Sequence, residues 1–137
     1  MDETRARIAE CHALAGRAEA ARAAARETFV RVRREAGQSV LAAQLDRTLA
    51  WAALLEGRPD HAAVHVAASL RDARALSAAF EVALTLNTAA ALPGRSQADG
   101  ARDRAEAALI LDGLGVVSVP AVPGGGDVPG VPPERAP

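Results

Sequence analysis

The chain has 137 residues, which suits one domain, and a formal net charge of −1. That balance gives the whole molecule no electrostatic basis for binding nucleic acid or an anionic membrane. About a quarter of the residues are Ala, and the aromatics are limited to Phe29, Trp51 and Phe80; Ala is the best helix former but buries little area, so a helical protein with a thin core is expected.

At the N-terminus, Met1-Asp2-Glu3-Thr4-Arg5 lacks the charge-then-apolar order of a secretory signal. No apolar run approaches membrane-spanning length. Cys11 is the only cysteine, which excludes an internal disulfide and makes a cytoplasmic setting the expectation. A first helix, about Asp2 to Leu14, offers only Ile8 and Leu14 as large apolar residues. After Gly16 a second helix carries the stripe Ala21, Ala25, Phe29, Val32, Ala36. Residues 17–36 hold six Arg and three Glu, with Glu27 and Arg31 at i, i+4, which reads as an exposed, salt-bridged face. Gly37 can close this pair and Ser39 can cap the next helix. Leu41, Leu45, Leu49, Ala52 and Leu55 then recur at three or four residues. Gly57 ends that helix, and Pro59 stands where a new one can begin, with the stripe Ala63, Val66, Leu70, Ala73. In the last third, Ser96 with Asp99 three residues on resembles a capping box, followed by Leu109, Ile110, Leu111 and Leu114. From Ser118 onward the chain carries six of its eight prolines and four glycines. That composition reads as a disordered tail with local polyproline II character. Its PxxP spacings, Pro120 to Pro123 and Pro129 to Pro132, suit a proline-reading partner as well as a solvated terminus.

The body repeats. Gly16, Gly57 and Gly94 are each followed by Arg, preceded at two residues by Leu, and preceded at eight by Ile8, Leu49 or Leu86. The pattern [IL]-x5-L-x-G-R recurs at spacings of 41 and 37 residues, the period of helical solenoids with one helix pair per repeat. The expected fold is therefore all-α: a short right-handed solenoid of about three antiparallel pairs (2–36, 39–76 and 77–115) within residues 1–117, then a tail over 118–137. Each pair consists of a helix A before the Gly-Arg turn and a helix B after it.

The small residues Ala9 and Ala50 and the Ala-rich B helices resemble tetratricopeptide repeats, although Asn87 stands where a small residue is usual and helix-B aromatics are absent. Phe80 to Leu86, Arg104-Ala105-Glu106, Leu114 to Val117 and Val119 to Pro123 are similar to the C-terminal end of large actinobacterial signalling proteins. Those join a nucleotide cyclase or DNA-binding module to an ATPase module and a terminal tetratricopeptide region. The resemblance covers roughly residues 40–123, carries none of the catalytic modules, and implies a scaffold in signal transduction or transcriptional regulation that binds a protein partner without catalysis. It also implies that the exposed face of helix A lines a partner-binding groove. The matching positions are Gln44, Arg47 and Trp51 in the second pair and Glu81 and Thr88 in the third. Trp51 fits both a groove anchor and a side chain packed between pairs. The alternative reading is a detached regulatory segment of such a cyclase or regulator.

Chemistry-bearing constellations are sparse. His61 and His65 stand at i, i+4, a spacing that can bind zinc, but Ala62 occupies the position of a metalloprotease general base. They are weak metal candidates beside a reading as surface histidines, and no metal or other cofactor is expected. Cys11 and His12 are consecutive and diverge by about 100° on a helix, so Cys11 reads as a small packing residue. Gly113-Leu114-Gly115 and Gly124 to Gly126 lack the Lys or following helix of a phosphate loop. Asp99, Asp103 and Glu106 share a helix with Arg102 and Arg104 and read as a solvated face. No evident polar cap covers either end of the array, so a homodimer or a place in a larger assembly is expected.

Overall fold

A computed structural model describes residues 1–124. These form six helices: α1 (Asp2–Leu14), α2 (Ala18–Ala36), α3 (Val40–Leu55), α4 (Pro59–Ala75), α5 (Ala79–Ala90) and α6 (Gln97–Gly113). No strand occurs among the described residues. No helix among them is long and apolar enough to cross a membrane.

The helix ends are set by local chemistry. The Ser39 hydroxyl accepts from the Ala42 amide at 3.0 Å, and Ser96 accepts from Asp99 at 3.1 Å, each satisfying one otherwise orphan donor. Pro59 opens α4, where its missing N–H costs nothing. Gly16 and Gly57 sit at φ +80° and +71° and close one and the same turn. The amide of Gly16 donates to Ala13 and that of Arg17 to His12; the amide of Gly57 donates to Leu54 and that of Arg58 to Ala53. This is the Schellman pattern, which needs a left-handed residue. The same turn joins α4 to α5, but there the left-handed residue is Ser77, at φ +52°. The third Gly-Arg copy differs: α5 ends at Ala90 and a longer loop through Pro93 and Gly94 leads to α6.

Each helix packs on its chain neighbour, and α3 also meets α1 and α5. Among the described residues α2, α4 and α6 make no comparable contact with one another. This packing is compatible with a helical repeat. The core follows the thin design expected from the composition. Helix α1 is held through Ala6, Ala9 and Ala13, while Ile8 and Leu14 remain exposed. In α2 the buried stripe is Ala21, Ala25, Thr28 and Val32, with Phe29 half-buried and Ala36 exposed. In α4 it is Ala62, Val66, Ser69, Asp72 and Ala73, and Ala63 is exposed. Helix α3 is the central element, buried almost continuously from Ala42 to Leu54.

Of the tail, residues 118–124 are described. They are irregular, but Val122 packs on two core clusters, one containing Ala50, Leu54 and Ala89, the other Ala13, Trp51 and Ala52. Composition alone does not reveal this packing: Val119 and Val122 give the stretch apolar surface to bury. The remainder, with Pro129 and Pro132, lies outside the described residues.

Candidate partner-binding site

A polar stripe joins α1, α3 and α5. Arg47 is its centre. One terminal nitrogen donates to Glu10 Oε1 at 3.0 Å, and the other donates to Glu81 Oε2 at 2.9 Å. The Arg47 guanidinium carbon also lies 4.8 Å from the Trp51 ring centroid, within cation–π range. Trp51 Nε1 donates to Thr88 Oγ1 at 2.9 Å, and the Thr88 hydroxyl donates back to the Leu84 carbonyl. Gln44 Nε2 donates to Glu10 Oε2 at 3.4 Å. Spacings of three and four residues put Gln44, Arg47 and Trp51 on one face of α3, and Glu81 and Thr88 likewise on one face of α5.

All five residues expected in the groove thus meet in one connected cluster. Their exposure differs from expectation. Arg47 is 1% exposed, Trp51 3% and Thr88 0%, and Gln44 is the one half-buried member. The cause is reciprocal: two carboxylates neutralise the guanidinium, which lets the group be withdrawn from water, and the Trp51 cluster is covered in part by Val122. Glu10 is the member that sequence reasoning missed. It stands six residues before Gly16, as Trp51 stands six before Gly57 and Thr88 six before Gly94, so the repeat itself marked it.

Comparison of the chain with protein-family models, with curated proteins and with solved structures finds no match.

A second polar set ties the layers together. Ser69 Oγ donates to the Ala43 carbonyl at 2.8 Å and pairs with Thr85 Oγ1. Asp72 accepts from Arg33 at 3.0 Å and Gln38 at 3.1 Å. Among the described residues no buried side-chain nitrogen or oxygen lacks a hydrogen-bond partner. The basic face of α2 is paired outward, not along its own helix. Arg31 binds Asp2 rather than Glu27, and Arg22 binds Glu56 at 2.8 Å. The hydrogen bonds from Arg31 hold the Asp2 carboxyl below its usual range, and those from Arg74 do the same for Glu106. Arg95 binds Asp103 through two hydrogen bonds, so Asp103 is buried rather than part of a solvated face.

The histidine pair is split. His65 contacts the Asp46 carboxylate at 3.0 Å, while His61 is exposed; both line a cleft with Arg22, Arg26, Phe29 and Arg58. No group of three or more His, Cys, Asp or Glu among the described residues could hold a metal ion. Cys11 is exposed, contrary to its reading as a packing residue, because α1 turns its alanines inward and leaves Cys11 on the open face with Arg7 and Ile8.

Proposed function

We propose that the chain is a protein–protein interaction scaffold, a short right-handed solenoid of tetratricopeptide type that acts without catalysis in cytoplasmic signalling or transcriptional regulation. One observation carries this reading. Helix α3 packs against both other A helices, α1 and α5, while the B helices α2, α4 and α6 meet through the ion pairs Arg33–Asp72 and Arg74–Glu106, the closer packing on the A side that an array curved toward its A layer has. The stripe from Gln44 to Thr88 then lies along the inner face, where a partner segment would be held. A photo-crosslinking residue at Gln44 should capture a discrete partner in native lysate, whereas one at the exposed Val64 of α4 should not. Capture from Val64 alone would place the binding face on the B layer and defeat the proposal.

The alternative, a regulatory segment that functions within a larger assembly, is favoured by the surface of the last pair. Leu109 and Leu114 are exposed and Val117 is 99% exposed, a run of apolar side chains that a partner would cover. Sedimentation at micromolar to hundred-micromolar concentration is expected to show association that grows with concentration. A chain that stays monomeric throughout would refute self-association through this surface.

A further inference from the structure

The segment after α6 adopts a regular relation to the body. Gly115, at φ +73°, turns the chain out of α6. From there Val116, Val119 and Val122 are half-buried, whereas Val117, Ser118, Pro120 and Ala121 are exposed. A three-residue period is that of one face of a polyproline II helix, which rises about 3.1 Å per residue. The path fits. The segment reaches the C-terminal end of α3, where a Cβ placed on Gly124 would lie 2.8 Å from the Leu55 amide nitrogen and 2.9 Å from the Leu54 carbonyl carbon. Val122 packs on the cluster that contains Ala13 of α1 and Trp51 of α3. It also packs on the cluster that contains Ala89 of α5. Residues 122–124 thus lie against the A layer at the C-terminal end of α3, as a bound peptide would. Its sequence is Val-Pro-Ala-Val-Pro at 119–123, and Val-Pro-Gly-Val-Pro recurs at 128–132, outside the described residues.

We propose that the A-layer face is a docking site for extended Val-Pro-x-Val-Pro peptides, and that residues 119–123 are its resident occupant, closing the site until a partner segment of the same chemistry displaces them. This rests on the scaffold reading and names its ligand class. The chemistry is that of polyproline II recognition: the conformation is preformed, so little entropy is lost on docking, and valines at every third position present one apolar ridge. The tether gives the resident segment an effective concentration of millimolar order, so a free peptide at micromolar concentration competes poorly. Glycine at 124 is required by its positive φ and by the contact with the α3 backbone, which leaves no room for a side chain.

The test uses the full chain and a fluorescent nonapeptide with the sequence of residues 116–124. A variant with Val119→Asp, Val122→Asp, Val128→Asp and Val131→Asp empties the site of both copies of the motif. It should bind the peptide at least about tenfold more tightly than the unaltered chain, because the closed state no longer competes. Trp51, the only tryptophan, should shift its emission to the red in that variant and return toward the blue on adding peptide. Gly124→Ala provides a second release variant that leaves every valine in place. A control peptide has Ala at both proline positions. Equal gains for both peptides would overturn the Val-Pro ligand class and leave the scaffold reading standing. Unchanged Trp51 emission in both variants would overturn the assignment of the occupant. Shifted emission with no peptide binding would overturn the docking site itself, while capture from Gln44 would still support a scaffold. Loss of helical circular dichroism in both variants would make the segment a structural part of the fold, and would overturn a displaceable occupant.

Discussion

Arg47→Ala is expected to lower the free energy of unfolding by about 3–5 kcal/mol, the usual cost of removing one partner from a buried ion pair. Arg47 serves two carboxylates at once, Glu10 on α1 and Glu81 on α5, and both keep little contact with water. Without the guanidinium these two negative charges face each other across α3. A domain of this size has a total stability of about 5–15 kcal/mol, so the variant should stand near the edge of folding. Urea unfolding followed by circular dichroism measures the loss as a shift in midpoint at constant slope. A second variant isolates the cause. Arg47→Met combined with Glu10→Leu and Glu81→Leu removes every charge and fills the space, and should recover most of the loss. A loss under about 1 kcal/mol for Arg47→Ala would mean that the three groups behave as an exposed pair would.

Trp51→Ala should cost about 3–5 kcal/mol, as large aromatic truncations in cores do. The side chain is packed against Ala13 and Ala21, stacked near the Arg47 guanidinium and bonded to Thr88. Trp51→Phe keeps most of the volume and loses only the indole N–H. The Thr88 hydroxyl still donates to the Leu84 carbonyl, so about 1 kcal/mol is expected there. Thermal unfolding of the two variants separates packing from hydrogen bonding. Near-equal losses would show that the Thr88 bond dominates and that the ring packs loosely. The result also governs how binding data are read: an effect of Trp51→Ala on a partner is interpretable only after stability has been matched.

The helices were legible because their ends carry specific chemistry. Ser39, Pro59 and Ser96 mark starts, and Gly16 and Gly57 mark left-handed stops. The turn at Ser77 uses the same backbone geometry without the residue that advertises it. Which faces are buried was read less well. In α2 and α4 the expected stripes included Ala36 and Ala63, both exposed, and omitted Thr28, Ser69 and Asp72. Alanine suits either environment, so a helix rich in it offers little contrast between inside and outside. Polar residues in turn look external until their partners are known; Asp72 is buried because Arg33 and Gln38 come to it from α2 and the α2–α3 junction. The site shows the same division. Its five expected members came from the family resemblance, yet their burial depends on groups distant in sequence: Glu10 and Glu81 for Arg47, and Val122 on the cluster that holds Trp51. Residues 118–124 read as part of a disordered tail by composition, although Val116, Val119 and Val122 recur at the three-residue spacing at which they are half-buried.

Helix α3 packs against four of the other five helices, whereas α6 packs against α5 and reaches α4 through the Arg74–Glu106 ion pair. Substitutions will therefore be tolerated very unequally along the chain. A change in α3 is felt by α1, α2, α4 and α5 together, and its interior offers few positions where a larger or smaller side chain goes unnoticed. A change in α6 is felt mainly by α5. Over many generations the outer faces of α1 and α6 can drift toward new surfaces while α3 stays nearly constant. The middle of this molecule acts as its memory and the ends as its means of acquiring new attachments.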